Sequence, residues 1–324
     1  MGVPAHETTT RHLAAAYPFA AEPGLGDDGV LVGRDLLGGA HFYDPFRLYR
    51  SGSLTNPNMV VFGQIGRGKS AFVKTYLWRQ AVFGRRAWVV DPKGEYAPLA
   101  KAWGTEPLSL RPGGTLRLNP LDAPASVGDE EPQEVTRRRA ELLTSLAAAS
   151  LGRPLLPTER AAVELAVSEV TEDSAGAHET DGASRGAPAP TLPEVVEALL
   201  QPSAGAARAL RTSVAELAAD SRNVALELRR LVSGDLRGMF DGPTSPGVGL
   251  GGPLVVLDLS AVYHSAALGV LMTCATAWLQ AGLSGAHSAR RLTDSPSTGE
   301  GTILVVDEAW AILAKERIQL DYCS

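Results

Sequence analysis

Cysteine is almost absent from this sequence, which contains only Cys274 and Cys323 and no CxxC pair. We therefore expect neither a disulfide scaffold nor a cysteine-based zinc site, and such low cysteine usage is typical of a reducing cytoplasm. The N-terminus has no basic start followed by a long apolar run. The sequence thus predicts no signal peptide and a cytoplasmic location.

An excess of positive charge is also lacking, since the formal net charge is −6. Any contact with nucleic acid or an anionic membrane must then come from a local patch. No charged residue occurs between Asp258 and Arg290, and residues 266–283 are mostly apolar. This segment contains several polar residues and follows a strand-like run. We therefore predict a buried helix there and no intrinsic membrane span.

The first 57 residues carry short strand and turn signals. Residues 29–32 and 40–43 have strand character, and Asp44-Pro45 closes the second run. This pattern predicts a β-rich antiparallel lead-in over residues 1–57.

A strand–helix–strand unit is predicted over the next segment. Residues 59–63 (MVVFG) form a continuous apolar run, which is typical of a buried parallel strand. Helical spacing of apolar residues follows from Lys69, with Gly84 as the expected stop. Residues 87–91 (AWVVD) then predict the next strand.

The middle of the chain is predicted to be mainly helical, over residues 133–240. Within it, residues 172–190 are small, polar and rich in proline and glycine, so we expect a disordered loop there. Apolar runs at 254–259 and 302–307 predict further strands, and the Gly/Pro-rich segments 241–253 and 284–301 predict loops. The alternation indicates an α/β fold with a mainly parallel sheet and a helical insertion.

The most informative motif is GQIGRGKS, which occupies Gly63–Ser70 and matches GxxxxGK[ST] in full. Its glycines allow a tight turn whose N–H groups point at phosphate oxygens, and the following helix adds its positive N-terminal end. Lys69 would reach the β- and γ-phosphates of ATP, and the Ser70 hydroxyl would bind Mg²⁺. A chance glycine-rich turn is the alternative, but the predicted strand before the motif and helix after it favour a phosphate loop. The predicted nucleotide-binding residues are Gly63, Gln64, Ile65, Gly66, Arg67, Gly68, Lys69, Ser70 and Ala71.

A second motif, ILVVDEAW, begins at Ile303. Asp307 at the end of the predicted strand would hold Mg²⁺ through water, and Glu308 would polarise the attacking water. An exposed acidic turn after a buried strand has the same appearance. Together with a phosphate loop, however, the adjacent acids indicate an NTP-hydrolysing motor rather than a nucleotide kinase.

The third motif, DPKGEY, follows the strand at 87–91. Strand ends of an open α/β sheet face the ligand crevice, so Asp91 and Glu95 can approach a nucleotide. A solvated turn built on Pro92 and Gly94 is an equally good interpretation. Glu95 is the reserve candidate for the water-activating carboxylate.

Six motifs agree in order and spacing with one family. The chain resembles the motor domain of the conjugation and type IV secretion ATPases, within the FtsK–HerA class of P-loop motors. Its first 70 residues look especially like a version found in actinobacteria, and the resemblance runs from about Thr9 to about Arg317. The motifs are GQIGRGKS, DPKGEY, NPLD at 119–122, MFDG at 239–242, VVLDL and VVDEAW.

The resemblance implies a RecA-like ASCE fold that hydrolyses ATP with Mg²⁺ as a homo-hexameric ring. Such a ring energises transfer of DNA or protein together with apparatus proteins at the inner face of the membrane, which allows a peripheral location there. An arginine from a neighbouring subunit usually completes each site, and Arg222, Arg229 and Arg230 are candidates. The implied organisation is a lead-in over 1–57, the two halves of the ATPase core over 58–132 and 241–324, and the insertion over 133–240.

Two departures from the family stand out. The extra N-terminal domain of larger members is absent, and after Arg317 the tail IQLDYCS does not resemble the sensor strand that follows in the family. That strand normally lies between the phosphate-loop strand and the strand ending at Asp307. Our hypothesis at this stage is a truncated member that holds ATP weakly and turns it over poorly. Fast turnover abolished by Lys69→Ala would contradict that hypothesis.

Two other functions stay open on sequence alone. A cytoplasmic DNA translocase of the same superfamily would show salt-dependent DNA binding and DNA-stimulated turnover. A non-catalytic nucleotide-binding assembly component would be insensitive to Glu308→Gln, whereas that change traps ATP in a working enzyme. A small-molecule kinase is not expected, because no lid or acceptor pocket is recognisable.

Overall fold

The computed structural model describes residues 29–34, 39–122, 132–179, 189–234, 236–265, 268–291 and 301–312, without the side chains of 175–179 and 281–291. The chain divides into two compact units, Met1–Gly84 and Arg85–Ser324.

The first unit contains a β-hairpin. The described elements of this unit are β1 (Val30–Arg34), β2 (Ala40–Tyr43), α1 (Pro45–Arg50) and α2 (Lys69–Gln80). Strands β1 and β2 pair antiparallel, with Val30 opposite Tyr43, which confirms the predicted antiparallel lead-in. Asp44 begins a helix instead of closing a turn. Its Oδ1 atom accepts hydrogen bonds from the N–H groups of Phe46 at 2.9 Å and Arg47 at 3.2 Å, so it caps α1.

Helix α2 matches the prediction closely. It begins directly after Gly68, buries Tyr76 and Leu77, and contacts β1, where the Arg79 guanidinium donates to the Leu31 carbonyl. A short 3₁₀ turn follows, and Gly84 ends it with a φ of 70°. This left-handed conformation carries little steric cost for glycine and confirms the predicted stop.

The predicted buried strand at residues 59–63 is wrong. The segment forms no strand, and its side chains lie in solvent, with Val60 71% exposed and Phe62 89% exposed. An apolar run becomes a strand only when a neighbouring strand supplies hydrogen-bond partners. In the described part of the chain no strand pairs with this segment, so the predicted strand–helix–strand unit is not formed.

The second unit is built on a parallel sheet with strand order β4-β5-β3-β6. Ala87 of β3 lies opposite Leu254 of β5, and Arg86 of β3 lies opposite Thr302 of β6. Trp88 and Val89 in the central strand are buried, as expected for a sheet covered on both faces. The strands are β3 (Arg86–Asp91), β4 (Leu108–Ser109), β5 (Leu254–Asp258) and β6 (Thr302–Val306), which confirms the three strands predicted for this part of the chain.

Helices fill most of the remaining second unit. Helices α4, α5, α6 and α8 pack together and confirm the predicted helical insertion, while α9 contacts β3, β6 and α4. Within the described residues, no helix is both long enough and apolar enough to span a membrane. The helices are α3 (Ala97–Ala102), α4 (Pro132–Leu151), α5 (Pro157–Glu179), α6 (Leu192–Leu200), α7 (Ala204–Ala209), α8 (Val214–Ser233) and α9 (Leu268–Arg291).

Two predicted loops are shorter than expected. Helix α5 continues to Glu179, and α9 continues to Arg291, so the loops predicted at 172–190 and 284–301 are wrong over those residues. Extending an existing helix adds one hydrogen bond per residue, and no proline interrupts either extension. The remaining segments, 180–188 and 292–300, lie outside the described residues.

Candidate functional site

The phosphate-loop motif turns on two glycines in the first unit. Gly66 has a φ of 77° and Gly68 a φ of 84°. Residues with a Cβ rarely adopt this left-handed conformation, so this loop favours glycine at both positions, although of these two only Gly68 is a fixed position of the motif. Because Gly68 has no side chain, it leaves the N–H groups at the start of α2 without a side-chain cap.

Lys69 folds back across this loop. Its Nζ atom donates to the carbonyl oxygen of Gly63 at 3.0 Å and to that of Gln64 at 3.3 Å. A Cβ atom at Gly63 would lie 3.2 Å from Lys69 Cγ, so a larger residue would crowd the lysine. The loop therefore carries a mobile positive charge beside uncapped N–H groups, and this donor set fits a triphosphate. Gln64, Ile65 and Arg67 have exposed side chains, which leaves their backbone to contribute.

In the second unit, polar side chains gather where parallel strands end. Asp91 ends β3, Asp258 ends β5, Ser109 ends β4, and Asp307 directly follows β6. The carboxyl ends of parallel strands share one edge of the sheet, where ligands of open α/β sheets bind. The DPKGEY and DEAW motifs therefore lie side by side.

Asp91 organises the DPKGEY turn from inside the protein. Its side chain is buried and accepts hydrogen bonds from the N–H groups of Lys93 at 3.2 Å, Gly94 at 2.9 Å and Tyr96 at 2.8 Å. Burial raises the pKa of Asp91, although these N–H groups act in the opposite direction. A solvated turn is therefore the wrong interpretation for Asp91, whereas Glu95 is exposed.

The acidic pair after β6 has an unusual backbone. The Asp307 N–H group donates to the Val90 carbonyl at 3.2 Å, and its Oδ1 atom accepts from the Glu308 N–H group at 2.9 Å. Glu308 has a φ of 51°, which is uncommon for a residue other than glycine and often marks a functional site. Burial and the nearby Asp307 carboxylate raise the pKa of the Tyr96 hydroxyl, so that phenol stays neutral.

Glu308 contacts two side chains that the sequence argument did not assign. Its Oε1 atom pairs with the Lys93 ammonium, and its Oε2 atom accepts from the Trp310 indole N–H group. Both partners lie inside motifs that the sequence makes visible, DPKGEY and DEAW. The opposite charge of Lys93 was the available signal, but sequence alone does not show which acid it meets.

Asp258 connects the same edge to β4. Its carboxylate accepts from the Ser109 hydroxyl at 2.8 Å and from the Ser260 N–H group at 2.9 Å. Burial alone would raise the pKa of Asp258, but the hydrogen bonds from Ser260 and Ser109 lower it overall. A Cβ atom at Gly94 would lie 3.2 Å from Ser260 Cβ, so glycine permits this close approach.

The NPLD and MFDG motifs have structural contacts. Asn119 is buried, donates to the Pro190 carbonyl at 3.0 Å and accepts from the Leu121 N–H group at 3.1 Å. Asp241 accepts from Arg117 Nε at 2.8 Å. The Arg117–Asp241 bond joins the segments on either side of the helical insertion, and the Asn119–Pro190 bond joins the first of these segments to the insertion.

The predicted site residues divide between the two units. Lys69 and Ser70 belong to the first, whereas Glu95, Asp307 and Glu308 belong to the second. In the described residues, no group of three or more His, Cys, Asp or Glu side chains is arranged to hold a metal ion.

Comparison with solved structures gives an informative similarity. The structure is similar to VirB4 of Thermoanaerobacter pseudethanolicus, with a TM-score of 0.60 and 26% sequence identity over 89% of this chain and 69% of that chain. Two structures of the bacterial conjugative coupling protein TrwBΔN70, one with sulphate and one unbound, reach TM-scores of 0.42 and 0.41 at 15% and 14% identity. They cover 79% of this chain and 66% and 67% of theirs, and likenesses this distant support no argument. No family model and no curated protein matches the sequence.

In addition to its similarity to VirB4, the chain has a complete phosphate-loop motif, a parallel sheet, and an acidic pair directly after one strand of that sheet. The chain therefore has a fold similar to that of VirB4, and this similarity supports the predicted resemblance to the P-loop ATPases of conjugation and type IV secretion.

Proposed function

We propose that this chain is a motor subunit that binds and hydrolyses ATP to energise transfer of DNA or protein through a conjugation or type IV secretion apparatus. The observation that carries the proposal is the intact phosphate loop, with Lys69 folded across it, in a chain similar to VirB4 over 89% of its length.

In this proposal the loop at Gly63–Ser70 and Ala71 hold the triphosphate. The N–H groups at the start of α2 face the phosphate oxygens, and the Lys69 ammonium exchanges the carbonyls of Gly63 and Gln64 for the more strongly attracting phosphates. The Ser70 hydroxyl and the Asp307 carboxylate hold Mg²⁺, which neutralises phosphate charge when bound.

Glu308 is the residue we assign to water activation. Its carboxylate would accept a proton from the attacking water, while the Asp307 side chain accepts a hydrogen bond from the Glu308 N–H group and so holds the Glu308 backbone. Glu95 remains the reserve candidate, because it lies on the same sheet edge with an exposed side chain.

We further propose a homo-hexameric ring at the cytoplasmic face of the membrane, in contact with apparatus proteins. Arg222 and Arg229 are exposed on α8 and can serve a neighbouring subunit, whereas Arg230 pairs with Glu227 at 2.9 Å. Because the net charge is −6, any DNA contact would use a local basic patch.

The test measures ATP affinity and single-turnover hydrolysis of the purified 324-residue chain with Mg²⁺. Lys69→Ala should weaken ATP binding by about tenfold or more, because a charge-assisted contact is lost. Lys74→Ala, in the same helix but outside the motif, should bind ATP normally. Glu308→Gln should retain binding and slow hydrolysis by about 100-fold. Equal ATP binding by wild type and Lys69→Ala would sink the proposal.

A further inference from the structure

Glu308 is held by the protein at both of its carboxylate oxygens. Lys93, which precedes it by 215 residues, contacts Oε1, and the Trp310 indole N–H group contacts Oε2. The Glu308 side chain is 17% exposed, so only a small part of it faces water. Both oxygens of the Glu308 carboxylate therefore accept hydrogen bonds from groups of the protein.

The loop that carries Lys93 is fixed in place. The buried Asp91 carboxylate accepts the Lys93 and Gly94 N–H groups, and Gly94 turns the chain with a φ of 72°. The ring of Tyr263 lies under the ammonium, with its centroid 5.8 Å from Nζ, which adds a cation–π contact. The ammonium is therefore positioned before any ligand arrives.

The Glu308 side of the pair is equally constrained. Strands β3 and β6 are in register, with Val90 opposite Val306, so their carboxyl ends lie next to each other. The Glu308 N–H group is bonded to Asp307 Oδ1 at 2.9 Å, and its backbone is in the left-handed region. The ion pair thus joins the turns that follow two neighbouring, paired strands.

We propose that Lys93 is a positioning residue that latches Glu308 in a resting orientation. The inference rests on the proposed role of Glu308 in water activation. An ammonium group bonded to Oε1 occupies an acceptor position on that oxygen, so the attacking water cannot bond there while the contact lasts. Separation of Lys93 from Oε1 therefore precedes hydrolysis, and the latch limits ATP turnover before the motor is engaged.

Replacing the latch lysine tests this directly. Lys93→Met removes the ammonium but keeps the length of the side chain, and it should raise the single-turnover hydrolysis rate about three- to tenfold without changing ATP affinity. Lys93→Arg keeps the charge and should stay near the wild-type rate. Lys101→Met, at an exposed lysine on α3, is the matched control. An unchanged or slower rate in Lys93→Met overturns the latch.

A second readout does not depend on hydrolysis. Competitive acylation followed by mass spectrometry measures the reactivity of Lys93 against that of Lys101. The Glu308 carboxylate raises the pKa of Lys93, so Glu308→Gln should speed Lys93 acylation about threefold or more and leave Lys101 unchanged. Equal Lys93 reactivity in both proteins overturns the latch whatever the hydrolysis rate.

The two proposals fail in different ways. Hydrolysis that requires Lys69 and Glu308 but ignores Lys93→Met overturns the latch and leaves the motor function standing. Absence of hydrolysis that depends on Lys69 overturns the motor function itself and, with it, the catalytic meaning of the latch.

Discussion

Carboxylates of similar sequence context have different tasks at the edge of the sheet. Asp91 and Glu308 each follow an apolar strand and begin a turn. Asp91 is buried and receives three main-chain N–H groups, so its role is to shape the DPKGEY turn. The Glu308 carboxylate instead contacts the side chains of Lys93 and Trp310, and water can replace these contacts. Burial and partner type, rather than residue type, distinguish the structural acid, Asp91, from Glu308, the acid that we propose to activate water.

Removing the Asp91 carboxylate should destabilise the protein strongly. Asp91→Ala leaves N–H groups without an acceptor inside the protein, and we expect a loss of roughly 2–4 kcal/mol in the free energy of unfolding. Glu106→Ala, at an exposed acid nearby, should change it by less than about 0.5 kcal/mol. Urea unfolding followed by circular dichroism measures both variants. Similar midpoints for the two would show that Asp91 does not hold the turn.

Glu159 should make stability depend on pH. Its buried carboxylate accepts two bonds of 2.7 Å from Arg153 and one of 2.8 Å from the Leu156 N–H group, and the Arg153 guanidinium lowers the pKa of Glu159. Because this pKa is lower in the folded state than in the unfolded chain, the stabilisation is present above the ordinary glutamate pKa of about 4.3. It is lost as the pH falls through the folded-state pKa.

Arg153→Met should therefore lower the free energy of unfolding at pH 7 and flatten its decline in acid. Arg160→Met, at an exposed arginine of the same segment, should preserve the wild-type pH dependence. Urea midpoints between pH 3 and pH 7 make the comparison, and parallel curves for wild type and Arg153→Met would refute the assignment.

At the scale of elements, the helical insertion has a core of its own. Helix α8 contacts α4, α5 and α6, and it presents Leu228 to the interior while Leu226 is 42% exposed. Leu228→Ala should destabilise the protein by about 2–5 kcal/mol, because it leaves a cavity among packed side chains. Leu226→Ala, the same chemical change on the same helix, should cost less than about 1 kcal/mol. Equal losses of unfolding free energy in a urea titration would contradict this packing.

The strands and helices show which sequence patterns are sufficient to predict them. Continuous apolar runs predicted β3, β5 and β6 correctly, since each has a strand neighbour to pair with. The same signal failed at residues 59–63, because pairing depends on a partner that a local pattern does not reveal. The lengths of α5 and α9 were underestimated because the small, polar composition of their last residues is typical of loops. Each residue added to an existing helix nevertheless gains a hydrogen bond, so both helices continue through these residues.

For the molecule as a whole, motif chemistry was more predictable than geometry. The phosphate loop, the acidic pair and the resemblance to a family followed from residue order, and the similarity to VirB4 confirms that resemblance. The contact between Lys93 and Glu308 did not, since it depends on the register of two strands far apart in sequence. The sequence identifies the candidate functional groups, whereas the strand order determines which of these groups lie in contact.

The central claim is that one nucleotide engages both the phosphate loop and the acidic pair. The most direct measurement is a structure of the chain bound to Mg²⁺ and a slowly hydrolysed ATP analogue. The proposed function predicts the Lys69 ammonium within about 3 Å of the γ-phosphate, and the Asp307 and Glu308 carboxylates directed toward the bound nucleotide. A nucleotide bound in the loop with the Asp307 and Glu308 carboxylates directed away from it would contradict the account.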